Sequence, residues 1–227
     1  MKMTLLKILV LCAAILLTGS QIFASHWEWG FKTGIVRSRA GFSHDLPYIT
    51  LAPIDEFTLG SYLSFFFIKD QLGLQPEINY SVKGFDVLEE DFGQEVSSKY
   101  KISYFEIPVL IACKFLLRGR FKPGLVAGPY LGFALKAREV QTAFSSTEIR
   151  ELDDNLKKTD FGLLFGGNVR YRLGSMHVLL SVRYSLGLVN ISKNIMDVSY
   201  DFGERDTIKN RSLTISLGIS YIPRAPR

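Results

Sequence analysis

The sequence predicts an all-β fold, an eight-stranded antiparallel up-and-down transmembrane β-barrel. Three observations lead there. Apolar and polar residues alternate with period two through eight segments, a pattern that a helix, stepping about 100° per residue, would smear around its axis. The connections between those segments alternate long and short. An export leader opens the chain, and no later stretch offers the ~18 consecutive apolar residues of a spanning helix.

Composition narrows the class first. The 227 residues suit one domain or two small ones, and 47% hydrophobic with 13% aromatic content is too apolar for a disordered chain. The formal charge of +5 includes Lys2 and Lys7, which lie in the leader. Without them 25 basic side chains face 22 acidic ones, too small an excess to argue for a nucleic-acid partner.

Residues 1–24 have the three parts of a cleaved signal peptide, leaving 25–227 as the barrel domain. Lys2 and Lys7 supply the positive start, Ile8 to Leu17 the apolar run, and Thr18-Gly19-Ser20 leads toward a small residue at the cut, Ala24. The apolar run is ten residues long, well short of the roughly 20 that a membrane anchor needs. Leu11 stands before Cys12 where a lipoprotein needs a small residue, so Cys12 leaves with the leader. Cys113 then remains alone and no intramolecular disulfide can form.

The segments, in order, are roughly 27–37, 55–67, 71–83, 99–115, 122–138, 159–173, 176–191 and 212–221. In 71–83, Leu72, Leu74, Pro76, Ile78, Tyr80 and Val82 share one face, and Gln75, Glu77, Asn79, Ser81 and Lys83 the other. Met176, Val178, Leu180 and Val182 repeat the pattern against His177, Ser181 and Arg183, as do Leu213, Ile215, Leu217 and Ile219 against serines, Thr214 and Gly218. In 99–115 the apolar parity switches between Tyr104 and Ile107, which implies a bulge near Phe105. Each segment is near or above the ~9–11 residues of a tilted transmembrane strand.

Long connections cover about 38–54, 84–98, 139–158 and 192–206. Short ones centre on Lys69-Asp70, Arg118-Gly119-Arg120 and Gly174-Ser175. Outer-membrane barrels sort their loops this way, with tight periplasmic turns and large external loops, and an even strand count puts both termini in the periplasm. Aromatic residues fall into two belts suited to lipid–water interfaces. Trp27, Trp29, Phe65, Phe67, Phe115, Tyr171 and Tyr221 lie at the short-turn ends; Tyr80, Tyr100, Tyr104, Phe133 and Phe161 lie near the long-loop ends.

A soluble barrel would turn its apolar face inward. Here the polar face carries glycines such as Gly73, Gly124, Gly128, Gly162 and Gly166, which a narrow lumen needs and a solvated exterior does not. The same face brings Lys32, Glu77, Glu106, Arg170 and Arg183 to mid-strand depth. Eight strands leave an interior that side chains fill, and buried charges require partners, so these five are expected to form a structural ion-pair network that plugs the lumen.

Several stretches resemble the PorT-like outer-membrane β-barrel family of Gram-negative bacteria: QPEINYSVKGF at 75–85, YFEIPVLI at 104–111, GLVAGPYLGF at 124–133, VRYSLGLVNI at 182–191 and LTISLGISY at 213–221. With the leader and the loop order, the likeness spans nearly the whole mature chain. It implies bulges or kinks at Pro76, Pro108 and Pro129, where a strand loses a ladder hydrogen bond. The chain departs from the usual pattern after Tyr221, ending Ile-Pro-Arg-Ala-Pro-Arg rather than near an aromatic residue. The name-giving member is linked to protein export across the outer membrane, and no catalytic residues travel with the resemblance.

The function expected is a non-enzymatic binding or accessory role. Its partners would be outer-membrane lipid and lipopolysaccharide, with secretion-system or surface proteins as further candidates. An acidic external loop at 84–98 (Asp86, Glu89, Glu90, Asp91 and Glu95) is the candidate contact for a cationic partner or Ca²⁺, although such runs are usually just solvated. The alternatives are an outer-membrane lipid-modifying or proteolytic enzyme, for which only His44, beside Ser43 and Asp45, lies in an external loop, and a small-solute pore, which the strand number disfavours. One cysteine and three dispersed histidines offer no metal-ligand spacing, and no cofactor is implied.

Overall fold

A computed structural model describes residues 26–41, 50–68, 71–91, 94–143, 146–152, 156–192 and 207–223. The proposed signal peptide lies outside them. Among the described residues ten strands form: β1 (His26–Gly41), β2 (Thr50–Ala52), β3 (Ile54–Ile68), β4 (Leu72–Asp91), β5 (Gln94–Lys114), β6 (Phe121–Ala143), β7 (Ser146–Glu151), β8 (Thr159–Leu173), β9 (Met176–Gly187) and β10 (Lys209–Tyr221). Eight of them close an antiparallel ring in the order β1-β3-β4-β5-β6-β8-β9-β10, with β10 returning to β1. β2 continues the line of β3 along β4, and β7 folds back on β6.

The alternation becomes an inside and an outside. Ile35, Leu59, Ile78, Ile111, Leu125, Leu180 and Leu217 stand exposed on the outer wall, while Gln75, Glu77, Asn168, Arg170, Ser181 and Arg183 are buried within. An exposed apolar band around a closed sheet with a polar interior is the arrangement that lipid demands. The described ends of β1 and β10 meet at the short-turn end, where Trp29 pairs with Tyr221. Two of the tight turns carry glycines with positive φ, Gly119 at 112° and Gly174 at 64°, a backbone that side-chain-bearing residues adopt only under strain.

Four expectations need correction. The burial parity of β5 runs unbroken from Tyr100 to Ala112; the irregularity lies across the ladder, where Ser103 pairs with Lys136 and Tyr104 with Ala134, leaving Leu135 of β6 as the extra residue. The apparent switch arises because the lumen itself turns apolar toward the long-loop end. For the same reason Tyr100 and Tyr104 leave the outer belt and point inward, 8% and 0% exposed. Trp27, Trp29, Phe115 and Tyr221 do stand on the outer wall at the short-turn end, and Phe133 and Phe161 at the other.

The third correction concerns the prolines, which do not bulge. Pairing skips a step between Tyr62↔Glu77 and Phe65↔Leu74 beside Pro76, between Pro76↔Val109 and Asn79↔Glu106 beside Pro108, and between Pro108↔Tyr130 and Ile111↔Ala127 beside Pro129. The register is the same on both sides of every gap. Each proline drops ladder bonds to one neighbour without inserting a residue. Finally, 84–91 and 94–98, and much of 139–158, are strand rather than loop, since β4 and β5 stay paired to Asp91↔Gln94 and β6 to Ala143↔Ser146.

Candidate functional site

The lumen is built from the inward positions of the ring strands, every second residue. Near the short-turn end, β1 supplies Glu28. Its Oε1 accepts hydrogen bonds from the Ser220 and Tyr62 hydroxyls, lies 3.5 Å from Nδ1 of His177 and is ion-paired to Arg170 Nε at 3.3 Å. Arg170 of β8 donates to Asn168 Oδ1 at 2.7 Å and to Gln75 Oε1 at 3.3 Å. Gln75 in turn donates to Glu77 Oε1 at 2.7 Å.

Glu77 is the hub. Arg183 Nη1 from β9 donates to both its oxygens at 2.8 and 2.7 Å, Lys32 Nζ from β1 at 2.5 Å and Asn79 Nδ2 at 3.2 Å. Farther toward the long loops, Lys83 Nζ donates to Glu106 Oε1 at 2.5 Å and sits 4.9 Å from the centre of the Tyr130 ring. The Tyr130 hydroxyl donates to Asp160 Oδ2 at 3.1 Å, and Asn210 donates to Asp160 and to the Tyr104 hydroxyl. A polar cavity of 30 Å³, bordered by Lys32, Lys83, Glu106 and Arg183, separates the two ionic layers, room for about two waters at ~15 Å³ each.

Of the five charges singled out from the sequence, Lys32, Glu77 and Arg183 meet in one cluster, while Glu106 and Arg170 sit in separate ones, paired to Lys83 and Glu28. Sequence reasoning placed Lys83 on the polar face but left it, with Glu28 and Asp160, out of the network. Lys83 shares the odd parity of Glu77, and Glu28 the even parity of Lys32, so strand parity was the available signal. Among the described residues, the two sets together place four basic groups (Lys32, Lys83, Arg170, Arg183) and four acidic ones (Glu28, Glu77, Glu106, Asp160) at buried inward positions of the ring strands. Balance matters, because an uncompensated charge away from water is costly.

Beyond the ionic layers the lumen closes on Ala40, Phe85, Val87, Tyr100, Ile102 and Tyr104, joined by Leu156, Ile191 and Ile208 from the returning chain. Phe85 stacks on Tyr100 at 5.0 Å. The Ile191 amide donates to the Ile208 carbonyl, and the Lys157 amide to the Ile191 carbonyl, at 2.9 Å each.

The acidic segment behaves differently from a loop patch. Asp86 is 7% exposed, accepts one hydrogen bond from the Ser97 hydroxyl, shared between its two carboxylate oxygens, and lies 4.0 Å from Lys99. It is thus engaged within its own hairpin. The side chains of Glu89, Glu90, Asp91 and Glu95 lie outside the described residues, as do Ser43, His44 and Asp45 of the enzyme alternative. Among the described residues, no group of three or more potential ligands is placed to hold a metal ion.

A closed ring with an apolar outer wall and a buried ionic interior decides the class, and residues 20–193 match the model of the outer membrane protein beta-barrel domain. The chain belongs to this family. Among curated proteins none matches it. Of solved structures, the outer membrane protein OprG from Pseudomonas aeruginosa superposes with a TM-score of 0.51 at 11% identity, over 87% of this chain and 96% of OprG. Neisserial surface protein A is similar at TM-score 0.45 and 15% identity, covering 85% and 96% of the two chains. The outer membrane protease OmpT from Escherichia coli is similar at 0.48 and 10%, covering 88% and 98%. At such identities the likeness shows the fold alone. This outer membrane protein beta-barrel chain shares with OprG the ring and not a stated activity.

Proposed function

We propose that this outer-membrane barrel is non-enzymatic and works through its surface rather than through its lumen. The observation that carries the reading is the interior. Ion pairs from Glu28 to Glu106 and the apolar cluster around Phe85 and Ile102 fill successive depths, and the polar cavity between the ionic layers measures only 30 Å³. What is left for partners is the extension beyond the ring, where the β4–β5 and β6–β7 hairpins project past the last ring pairings. In this reading the hairpin end faces outward and both chain ends face the periplasm, in keeping with the loop asymmetry of such barrels. A binding or accessory role follows, and the PorT-like resemblance suggests protein export as its narrower form.

The test is electrical. The refolded chain in planar lipid bilayers is expected to give no steady conductance of porin size. A stable large conductance means that the filling is not a plug, and overturns the reading in favour of a pore.

A further inference from the structure

Where β6 outruns the ring it gains a neighbour with an open edge. Its last pairing with β8 is Phe133↔Thr159, and from Arg138 to Ala143 it carries β7 instead. The opposite edge of β7 meets no strand among the described residues. The Leu152 amide donates to the Ala137 carbonyl at 3.0 Å, and bonding along an antiparallel ladder alternates. Glu148 and Arg150, in step with Leu152, therefore direct their backbone groups to β6. Thr147, Ile149 and Glu151 turn theirs to the free side.

Free edges are usually guarded by lysine, proline or a bulge. β7 contains neither residue, and its ladder with β6 runs without a shift. It also shows an apolar side chain beyond the lipid-facing wall. Ile149 is 62% exposed, and its partner Val140 stands seven residues past Phe133, an outer-wall aromatic at the long-loop end. The charges then select what pairs there. Glu148 and Arg150 are exposed side by side on one face of the strand. With a second β7 laid antiparallel so that Ile149 opposes Ile149, each Glu148 meets the partner's Arg150 and Thr147 meets the partner's Glu151. A one-residue slip turns one strand's bonding groups away. A two-residue slip sets Glu148 against Glu148 or Arg150 against Arg150, and like charges directly opposite repel. Glu151 adds no unanswered charge, since Lys136 holds it at 2.5 Å. One register survives, and it is self-complementary.

We propose that β7 pairs in this register with β7 of a second copy of this chain, and that the two copies sit in facing membranes. Strand polarity decides the second point. β7 runs back along β6 toward the barrel, so in copies inserted the same way into one bilayer both β7 strands descend together and cannot pair antiparallel. A copy in an apposed membrane is inverted, and it can. The contact is isologous, the same edge meeting itself across a twofold axis. A single pair of strands six residues long is marginal alone, so the copies separate in dilute detergent and hold only where the contact repeats between two surfaces. The assignment rests on the outward orientation of the hairpins proposed above and narrows the surface role to adhesion between like membranes.

Disulfide trapping between lipid nanodiscs tests it, each disc holding one refolded full chain that carries Cys113→Ala, so that every trapped dimer joins two bilayers. Ile149→Cys is expected to give a disulfide-linked dimer under mild oxidation, because directly opposed residues of a bonded pair lie about 5.5 Å apart at Cα, within disulfide reach. Thr147→Cys alone should give none, being four residues out of step with its own copy, whereas Thr147→Cys discs mixed with Glu151→Cys discs should link. In the Ile149→Cys background, Glu148→Arg or Arg150→Glu alone should lower the yield roughly tenfold, as two attractive cross-strand pairs become repulsive. Mixing those two variants should restore it. No dimer from Ile149→Cys, equal trapping by Thr147→Cys alone, an unchanged yield in either charge variant, or no recovery in the mixture each overturns the assignment. A silent bilayer recording survives any of these outcomes, whereas a porin-sized conductance would sink the surface reading and leave the trapping yields as they are.

Discussion

The lumen is filled in two ways, and the two halves contrast. From Glu28 to Glu106 carboxylates and cations are in contact across the ring, beside a second, smaller apolar cluster that includes Phe66, Leu110, Val126 and Leu164. Toward the long-loop end it is a small apolar core of Phe85, Tyr100, Ile102 and their neighbours. The ionic half depends on matched partners, since a single loss strands a charge in a low-dielectric interior. The apolar half depends on volume, since a deletion leaves only a gap. Similar closure thus carries different vulnerabilities, and substitutions can tell them apart.

The largest effect is expected at Glu77, which answers both Lys32 and Arg183. Glu77→Gln leaves two buried cations without a carboxylate and should cost about 3–5 kcal/mol, read as a lower denaturant midpoint for the heat-modifiable folded form in lipid vesicles. A loss below ~1 kcal/mol would show that water, not Glu77, screens those cations. In the apolar half, Ile102→Ala should cost roughly 3 kcal/mol while the bilayer recording stays silent, because the ionic layers still close the bore. Conductance appearing in that variant would assign closure to the apolar half alone.

A third substitution sharpens the difference. Lys83→Met alone strands Glu106, its partner at 2.5 Å, and should cost about 3 kcal/mol. Lys83→Met with Glu106→Leu removes both charges and should return to within ~1 kcal/mol of wild type, since an apolar replacement of a buried pair is often neutral. If the double variant is as unstable as the single one, this layer serves more than mutual compensation, and contacts such as Lys83 over the Tyr130 ring carry part of the energy.

The contrast also explains what the sequence revealed. Period two identified the strands and the outward face because, across most of the membrane-spanning depth, apolar means lipid-facing; Phe66, Leu110, Val126 and Leu164 are the inward exceptions among the described residues. The inference failed where the lumen becomes apolar. Tyr100, Ile102 and Tyr104 occupy inward positions yet have outward chemistry, so hydrophobicity seemed to change parity although the backbone did not. It failed again toward the rim, where both faces of β4 from Ser81 to Val87 are buried and alternation stops reporting orientation. Pairing was the least legible feature. Which cation meets Glu77 depends on barrel stagger, and stagger rests on register shifts such as those at Ile68 and Leu135, which have no compositional signature.

The smallest effect lies outside the barrel altogether, on β7, and sets the baseline for the buried layers. Arg150 donates to Glu148 at 3.0 and 3.2 Å, and this hydrogen-bonded guanidinium holds the Glu148 carboxyl below the usual carboxylate range. A carboxyl whose folded value is depressed stabilises the fold above its unfolded value, and that contribution disappears as pH falls through the folded one. Here the pair is open to solvent, so screening leaves little of it. The titration itself should remain visible. By NMR, the Glu148 midpoint should lie lower in the wild type than in Arg150→Gln, while their unfolding midpoints coincide. Coincident Glu148 titrations would remove the contact; a measurable stability loss in Arg150→Gln would mean that exposed pairs on the projecting hairpin count toward folding, and the line drawn between buried and surface charges in this barrel would have to move outward.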